Sequence, residues 1–154
     1  MRVFIDGIFD LFHIGHLKSF EKTIKVAEQE LEKTKNNEKV ELIVGVIGDN
    51  DALNYKRKPV IPCNDRKYII ESLSIVNKVI YPSPLIVSKQ FLEDNNIDLV
   101  VHGFSNKNDF EKQKHHYQDI IDLGIFRYIE YYKDESTTNI IKKCKLINCS
   151  SKII

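Results

Sequence analysis

The chain has 154 residues, with 23 basic against 22 acidic side chains, five histidines and a formal net charge of +1. At 42% hydrophobic and 29% charged residues it has the make-up of one soluble globular domain, which excludes disorder, collagen and coiled coil. The near-zero charge gives no general pull toward nucleic acid, no apolar run nears the roughly 20 residues that span a bilayer, and Met1 to Gly7 turns polar too soon for a signal peptide. A small-molecule partner and a cytoplasmic address are therefore expected. Cys63, Cys144 and Cys149 are odd in number and form no C-x-x-C pair. That argues against a disulfide framework or a zinc site and leaves buried or incidental thiols.

In chain order, Arg2 to Ile5 is a short, mostly apolar run that stops at Asp6-Gly7 and predicts a buried strand entering a tight turn. From about Ile14 to Lys33 the residues Leu17, Phe20, Ile24, Ala27 and Leu31 recur at steps of three and four, the period of an amphipathic helix. Lys33 to Lys39 has no apolar residue and predicts a solvated loop. Val40 to Ile47 is nearly continuous in β-branched residues, as in a parallel strand covered on both faces, and Gly48 to Asp51 reads as a turn. Asn64-Asp65 predicts an N-cap for a helix over Arg66 to Leu73, and Lys78 to Tyr81 a third strand bounded by Pro82 and Pro84. Ser88 to Asn95 suggests a short helix, and Ile97 to His102 a fourth strand closed by Gly103. A helix over Tyr117 to Leu123, a strand over Ile125 to Tyr131 and a last helix from about Asn139 to Lys145, capped by Ser136-Thr137-Thr138, complete the pattern.

This alternation predicts an α/β fold, a doubly wound parallel sheet in three α/β/α layers, over residues 1–143 with a short tail at 144–154. In such sheets ligands bind beyond the carboxyl ends of the strands, so the loops after Ile5, Ile47, Tyr81, Val101 and Tyr131 are the ones to inspect. The first reads Gly7-Ile8-Phe9-Asp10-Leu11-Phe12-His13-Ile14-Gly15-His16. Two histidines three apart at a helix start lie on one face, and Gly15 between them lets a ligand approach the backbone. Helix N-terminal amides with two imidazole donors beside them suit phosphate oxygens. The plainer alternative is a pair of capping histidines that only bond locally. Ser136, Thr137 and Thr138, at the start of the last helix, make a second place where hydroxyls and amides converge on an anion, or an ordinary N-cap.

Gly-x-Phe-Asp-x-x-His-x-Gly-His after a first strand resembles the signature of the nucleotidylyltransferase superfamily, and the chain resembles the cytidylyltransferases that act on phosphoethanolamine, phosphocholine and glycerol 3-phosphate. The likeness continues through Asn54-Tyr55-Lys56, Asp65-Arg66-Lys67-Tyr68, Val100-Val101-His102-Gly103 and Ser136 to Ile141. His-Ile-Gly-His is also a motif of class I aminoacyl-tRNA synthetases, but those need a Lys-Met-Ser-Lys-Ser-like loop and far more chain.

The resemblance implies attack of a phosphomonoester oxygen on the α-phosphate of CTP, with magnesium accompanying the nucleotide. By that likeness His13 and His16 touch the α-phosphate and its leaving oxygen, and Lys56 bridges the two phosphates that must meet. Ile8, Phe9, Gly15, His102 and Gly103 contact the nucleotide, the last two with backbone groups near cytosine, while Ser136, Thr137 and Thr138 hold the β- and γ-phosphates. Relatives carry Arg-Thr-Glu-Gly-Ile-Ser-Thr where this chain has Tyr131 to Thr137, so the arginine is missing; Lys133 would replace it with a point charge, or the site is weakened. Arg66 either reaches the phosphates or pairs with Asp65 or Glu71 at the surface. Asp10 is a helix-entry cap or an outer-sphere partner of magnesium, and His115-His116 is expected at the surface.

Choline enzymes of this family have Pro-Trp after the third strand and His-Asp-Asp after the fourth, against Pro84-Leu85 and His102-Gly103-Phe104 here. A quaternary ammonium asks for an aromatic cage and a primary ammonium for oxygen acceptors, which favours phosphoethanolamine, with Asp6 as a partner for its ammonium. Phosphocholine as acceptor remains an alternative, as does a non-catalytic CTP-binding half of a two-domain enzyme. The basic tail residues cap the last helix, and the tail is too short for the membrane helix of regulated choline enzymes, so no stable membrane insertion is expected. Relatives are commonly dimeric, so a homodimer is possible, and the sequence leaves open whether the chain is excised from a longer one.

Overall fold

The computed structural model describes residues 1–35, 37–55 and 57–150. Five parallel strands, β1 (Arg2–Gly7), β2 (Glu41–Ile47), β3 (Lys78–Ser83), β4 (Leu99–Phe104) and β5 (Phe126–Glu130), lie in the order β3-β2-β1-β4-β5. Helices α1 (Ile14–Lys33), α2 (Asp49–Tyr55), α3 (Cys63–Glu71), α4 (Lys89–Asn95), α5 (Lys107–Gln113), α6 (Gln118–Asp122) and α7 (Thr137–Ser150) connect and follow them, with a 3-10 turn at Lys114–Tyr117.

Alternate side chains of β1 feed two cores. Val3 and Ile5 pack with Phe20 and Ala27 of α1 and Ile70 of α3, while Phe4 points the other way, toward Leu92 of α4 and Ile120 of α6. Period-two alternation along a strand covered on both faces is what makes the run read as continuously apolar. The result is the expected three-layer, doubly wound α/β architecture. Because the chain steps outward from β1 to β3 and then returns to the other side of β1 at β4, the winding reverses between β1 and β4, and a crevice opens at their carboxyl ends.

Several expectations need correction. Gly48 to Asp51 is not a free turn but the start of α2; Gly48 accepts the N–H of Ala52 at 2.9 Å, and Asp49 and Asp51 sit in the first helical turn, where carboxylates complement the helix dipole. Asn64-Asp65 does not cap α3. That helix begins at Cys63, three residues before the expected Arg66, and its first N–H, of Cys63, bonds Asp49 Oδ2 at 3.1 Å, a cap supplied from fourteen residues upstream. Strand β3 runs through Pro82 to Ser83, which an edge strand tolerates because the missing N–H needs no partner there. Helix α5 was not foreseen, and α7 extends past Lys145 to Ser150.

Candidate active site

At the carboxyl ends of β1 and β4 lies an open cavity of about 770 Å³. His13 is the N-cap of α1 and its Nδ1 accepts the N–H of Gly15 at 3.0 Å, while Nδ1 of His16 accepts the N–H of His13 at 3.4 Å, a reciprocal capping box. The two rings lie with centroids 3.9 Å apart, and both line the cavity. An imidazole that accepts at Nδ1 is neutral and carries its proton on Nε2. Burial lowers the His13 pKa, against an opposing pull from Glu135, which agrees with that neutral form. The capping reading and the phosphate-donor reading are thus compatible: the cap fixes the tautomer that turns both Nε2–H groups into donors. Gly15 is needed because a Cβ there would meet Cε1 of His13 at 2.7 Å.

The loop into α1 is held under strain. Phe9 and Leu11 have left-handed φ values of 53° and 47°, costing roughly 1–2 kcal/mol each for an L-residue. The Phe9 ring goes into the core, edge-on to Phe20 at 5.2 Å and to His16 at 5.4 Å. Asp10 neither caps α1, since His13 does, nor stands free: it accepts the N–H groups of Val60 (2.9 Å) and Ile61 (2.9 Å) and pairs with Arg57 at 2.9 Å. Burial would raise its pKa, but these N–H groups and the Arg57 guanidinium outweigh that and hold the carboxyl below its usual range.

Arg66 is corrected as well. Its side chain is fully buried beneath the cavity and donates to the carbonyls of Ile61 (3.0 Å), Ile8 and Ile47 (3.0 Å) and to Asp49 Oδ1 (2.6 Å). It pairs with neither Asp65 nor Glu71 and reaches no cavity wall. A guanidinium with those four partners is a clamp between the β1 and β2 loop ends, not a ligand for a mobile anion. Lys133 is also set aside: its side chain is 78% exposed, beside Glu130 and off the cavity.

At the start of α7, Ser136 Oγ accepts the N–H of Asn139 at 3.1 Å as a cap, its own N–H goes to Glu135 Oε1 at 3.0 Å, and Thr137 Oγ1 donates to the carbonyl of Asp10 at 3.0 Å. The last contact stitches α7 to the loop that carries His13. Glu135 pairs with Lys143 at 2.6 Å, which, with the Ser136 N–H, lowers its pKa.

The far end of the cavity is built differently. The Asp6 carboxyl, on β1, accepts the hydroxyl of Tyr117 at 2.8 Å and lies 2.8 Å from Nδ1 of His102, on β4; that nitrogen is also 2.7 Å from the Tyr117 hydroxyl. All three residues are buried. Because a carboxylate only accepts and the tyrosine proton is given to Asp6, Nδ1 of His102 acts as the donor toward Asp6 and Tyr117, the reverse of the Nδ1 role in the pair on α1. His115 is exposed, as expected, and His116 is half-buried; both line this end. Burial and the neighbouring His115 lower the His116 pKa. Gly103 lets the Tyr131 ring lie against β4, since a Cβ would meet it at 2.7 Å.

Thus Ile8, Phe9, His13, Gly15, His16, His102, Gly103, Ser136, Thr137 and Thr138 share one cavity, with Asp6 and Leu85. Lys56 lies outside the described residues. The sequence did not place Arg57, Tyr117, His116 or the α5 residues Asp109 and Lys112 on the wall; their local pattern does not say that α5 and the 3-10 turn lie over the cavity, which distant packing decides.

With this geometry in place, comparison with known proteins identifies the class. The chain matches the Cytidylyltransferase-like family over residues 4–146, and it belongs to that family. Among its relatives, a probable choline-phosphate cytidylyltransferase of Schizosaccharomyces pombe is 36% identical over 104 residues, 66% of this chain and 25% of the relative. An ethanolamine-phosphate cytidylyltransferase of Arabidopsis thaliana is 28% identical over 145 residues, 92% of this chain and 32% of the relative. Choline-phosphate cytidylyltransferase A of Mus musculus is 31% identical over 146 residues, 93% and 36% respectively. The chain therefore spans 25% to 36% of the length of these curated relatives. The crystal structure of the lipopolysaccharide core biosynthesis protein from Thermoplasma volcanium GSS1 has the same fold, with a TM-score of 0.59 at 22% identity, covering 88% of this chain and 98% of that one.

Proposed function

We propose that the protein transfers a cytidylyl group from CTP to phosphoethanolamine, giving CDP-ethanolamine and pyrophosphate, a step of phospholipid synthesis. The observation that carries the proposal is that two imidazoles with their protons fixed on Nε2 share one cavity with a buried carboxyl, Asp6. Relatives that are named for both ethanolamine phosphate and choline phosphate support the coarser class, synthesis of a CDP-amino-alcohol.

An acceptor phosphate oxygen attacks the α-phosphorus of CTP in line. The new P–O bond forms as the bond to the β-bridging oxygen breaks, and pyrophosphate leaves with the electron pair. A phosphomonoester is largely dianionic above about pH 6, so no general base is required, and catalysis consists of positioning and charge stabilisation. His13 and His16 donate from Nε2 to oxygens of the α-phosphate, where charge spreads in the transition state. Lys56, assigned from the sequence alone, neutralises the repulsion between the two phosphates. The start of α7 receives the leaving pyrophosphate. Among the described residues no three His, Cys, Asp or Glu gather to hold a metal ion, and both oxygens of Asp10 are engaged; a magnesium ion accompanying CTP would be held by the phosphates and would supply charge neutralisation there.

Ethanolamine is favoured over choline because the acceptor end offers a carboxyl oxygen for N–H donors and has Leu85 where a tryptophan would help to cage methyl groups. Pyrophosphate release with CTP or ATP and with phosphoethanolamine, phosphocholine or glycerol 3-phosphate tests this. The expected result is release with CTP and phosphoethanolamine, weaker release with phosphocholine and little with ATP. Equal or reversed preference between the two amino-alcohol phosphates removes the ethanolamine assignment, and no release with any pair removes the enzyme.

A further inference from the structure

We infer that Arg57 is a phosphate ligand of this cavity, its guanidinium meeting the β- and γ-phosphates of the nucleotide; the inference rests on the triphosphate-binding part of the function proposed above. A triphosphate brings several negative charges into a cavity whose wall already carries the carboxyl groups of Asp6, Asp10, Asp109 and Glu135. Among the described residues the cations on that wall are Arg57 and Lys112. Lys112 belongs to α5, at the acceptor end. Arg57 stands at the nucleotide end, and Tyr131, at the end of β5, offers no cation there.

The two arginines near the loop show the difference between a clamp and a ligand. The Arg66 side chain is fully buried, with four bonds to loop carbonyls and Asp49, whereas the Arg57 side chain is 38% exposed and faces the cavity. Arg57 is nonetheless fixed. Nη2 lies 2.9 Å from Asp10 Oδ2, and Nη1 donates to the carbonyl of Lys58 at 3.0 Å. Asp10 in turn is anchored by the N–H groups of Val60 and Ile61, and its own carbonyl takes the Thr137 hydroxyl. The guanidinium and the start of α7 are thus pinned to the same residue. A planar guanidinium with Nη2 held by a carboxylate and Nη1 by a carbonyl keeps its remaining N–H groups in a set direction for a second oxyanion. During transfer the β-phosphate gains the charge released when the α–β bond breaks, and Arg57 meets that charge as pyrophosphate departs.

Calorimetric binding of inorganic tripolyphosphate, CTP and CMP to the wild type, Arg57→Gln and Arg57→Lys tests the assignment. Arg57→Gln should weaken tripolyphosphate and CTP by about 10- to 100-fold and leave CMP unchanged; Arg57→Lys, which keeps the charge without the fork, should lose less, about 3- to 10-fold, and serves alone if the Gln variant does not fold. A merely structural arginine would weaken CMP as much as CTP, and that result, unchanged tripolyphosphate binding in the variants or no tripolyphosphate binding by the wild type overturns the inference. The tripolyphosphate arm is independent of the base and of the acceptor. Loss of its binding in the variants, with no pyrophosphate release from CTP, would therefore sink the proposed reaction and keep Arg57.

Discussion

The two ends of the cavity both use histidine, and they use it in opposite ways. At the start of α1, His13 and His16 are three residues apart and cap their own helix, each accepting a backbone N–H at Nδ1. Between β1 and β4, His102 presents a protonated Nδ1 to an aspartate 96 residues away and a tyrosine fifteen residues on. The first arrangement joins residues within one helical turn of each other. The second exists only because the sheet brings β1 beside β4 and the 3-10 turn folds over both. One cavity thus uses imidazole Nδ1 in both roles, as acceptor from backbone donors and as donor to a carboxyl.

The largest expected effect lies beneath the α1 end of the cavity. Arg66→Met leaves the carbonyls of Ile8, Ile47 and Ile61 without their donor, at about 1–3 kcal/mol for each one left unsatisfied, while Asp49, whose side chain is 37% exposed, turns to water. Chemical denaturation measures this, and a loss below about 1 kcal/mol would show that Arg66 is not the clamp. Next, His16→Ala should reduce pyrophosphate release about 10²- to 10³-fold, as when one preorganised transition-state donor is removed, with only about 1 kcal/mol of stability lost at the cap. An unchanged rate in a folded variant would place the chemistry elsewhere. At the other end, Tyr117→Phe removes one donor to Asp6 and should change the acceptor KM several-fold, about 1 kcal/mol, with the CTP KM unmoved; a shift in both would erase the division between the ends.

The smallest effect is a pH dependence. The folded state holds His13 below its usual pKa of 6.5, so the unfolded chain binds the proton more readily. The stability due to neutral His13 is therefore present above pH 6.5 and is lost as pH falls below it. His13→Asn keeps a good capping side chain and does not titrate, so its Tm should fall less than that of the wild type between pH 7 and 5. Parallel Tm curves would mean that the cap does not depend on the neutral form.

Much of the frame was legible because it is written in short-range pattern. The steps of three and four in Ile14 to Lys33 and the apolar run of β2 gave the elements closely, and His13-Ile-Gly-His16 gave one end of the site. What misled was chemistry with two local meanings. Gly48-Asp49-Asn50-Asp51 suits a turn as well as a helix start, and only the burial of Arg66 against Asp49 decides which. Arg66 itself carries a charge that composition assigns to the surface or to a ligand, yet its four partners come from three separate loops.

The sequence by itself determined the strand and helix periodicities, the α/β class and the capping histidines, because those depend on residues within about one helical turn or one strand of each other. Tertiary structure alone decided which of two arginines is buried and which faces the cavity, and which tyrosine and histidine hold Asp6. A polar side chain can satisfy its hydrogen bonds with water or with any of several neighbours. Which partner it takes is fixed only when packing has removed the water and brought distant loops together.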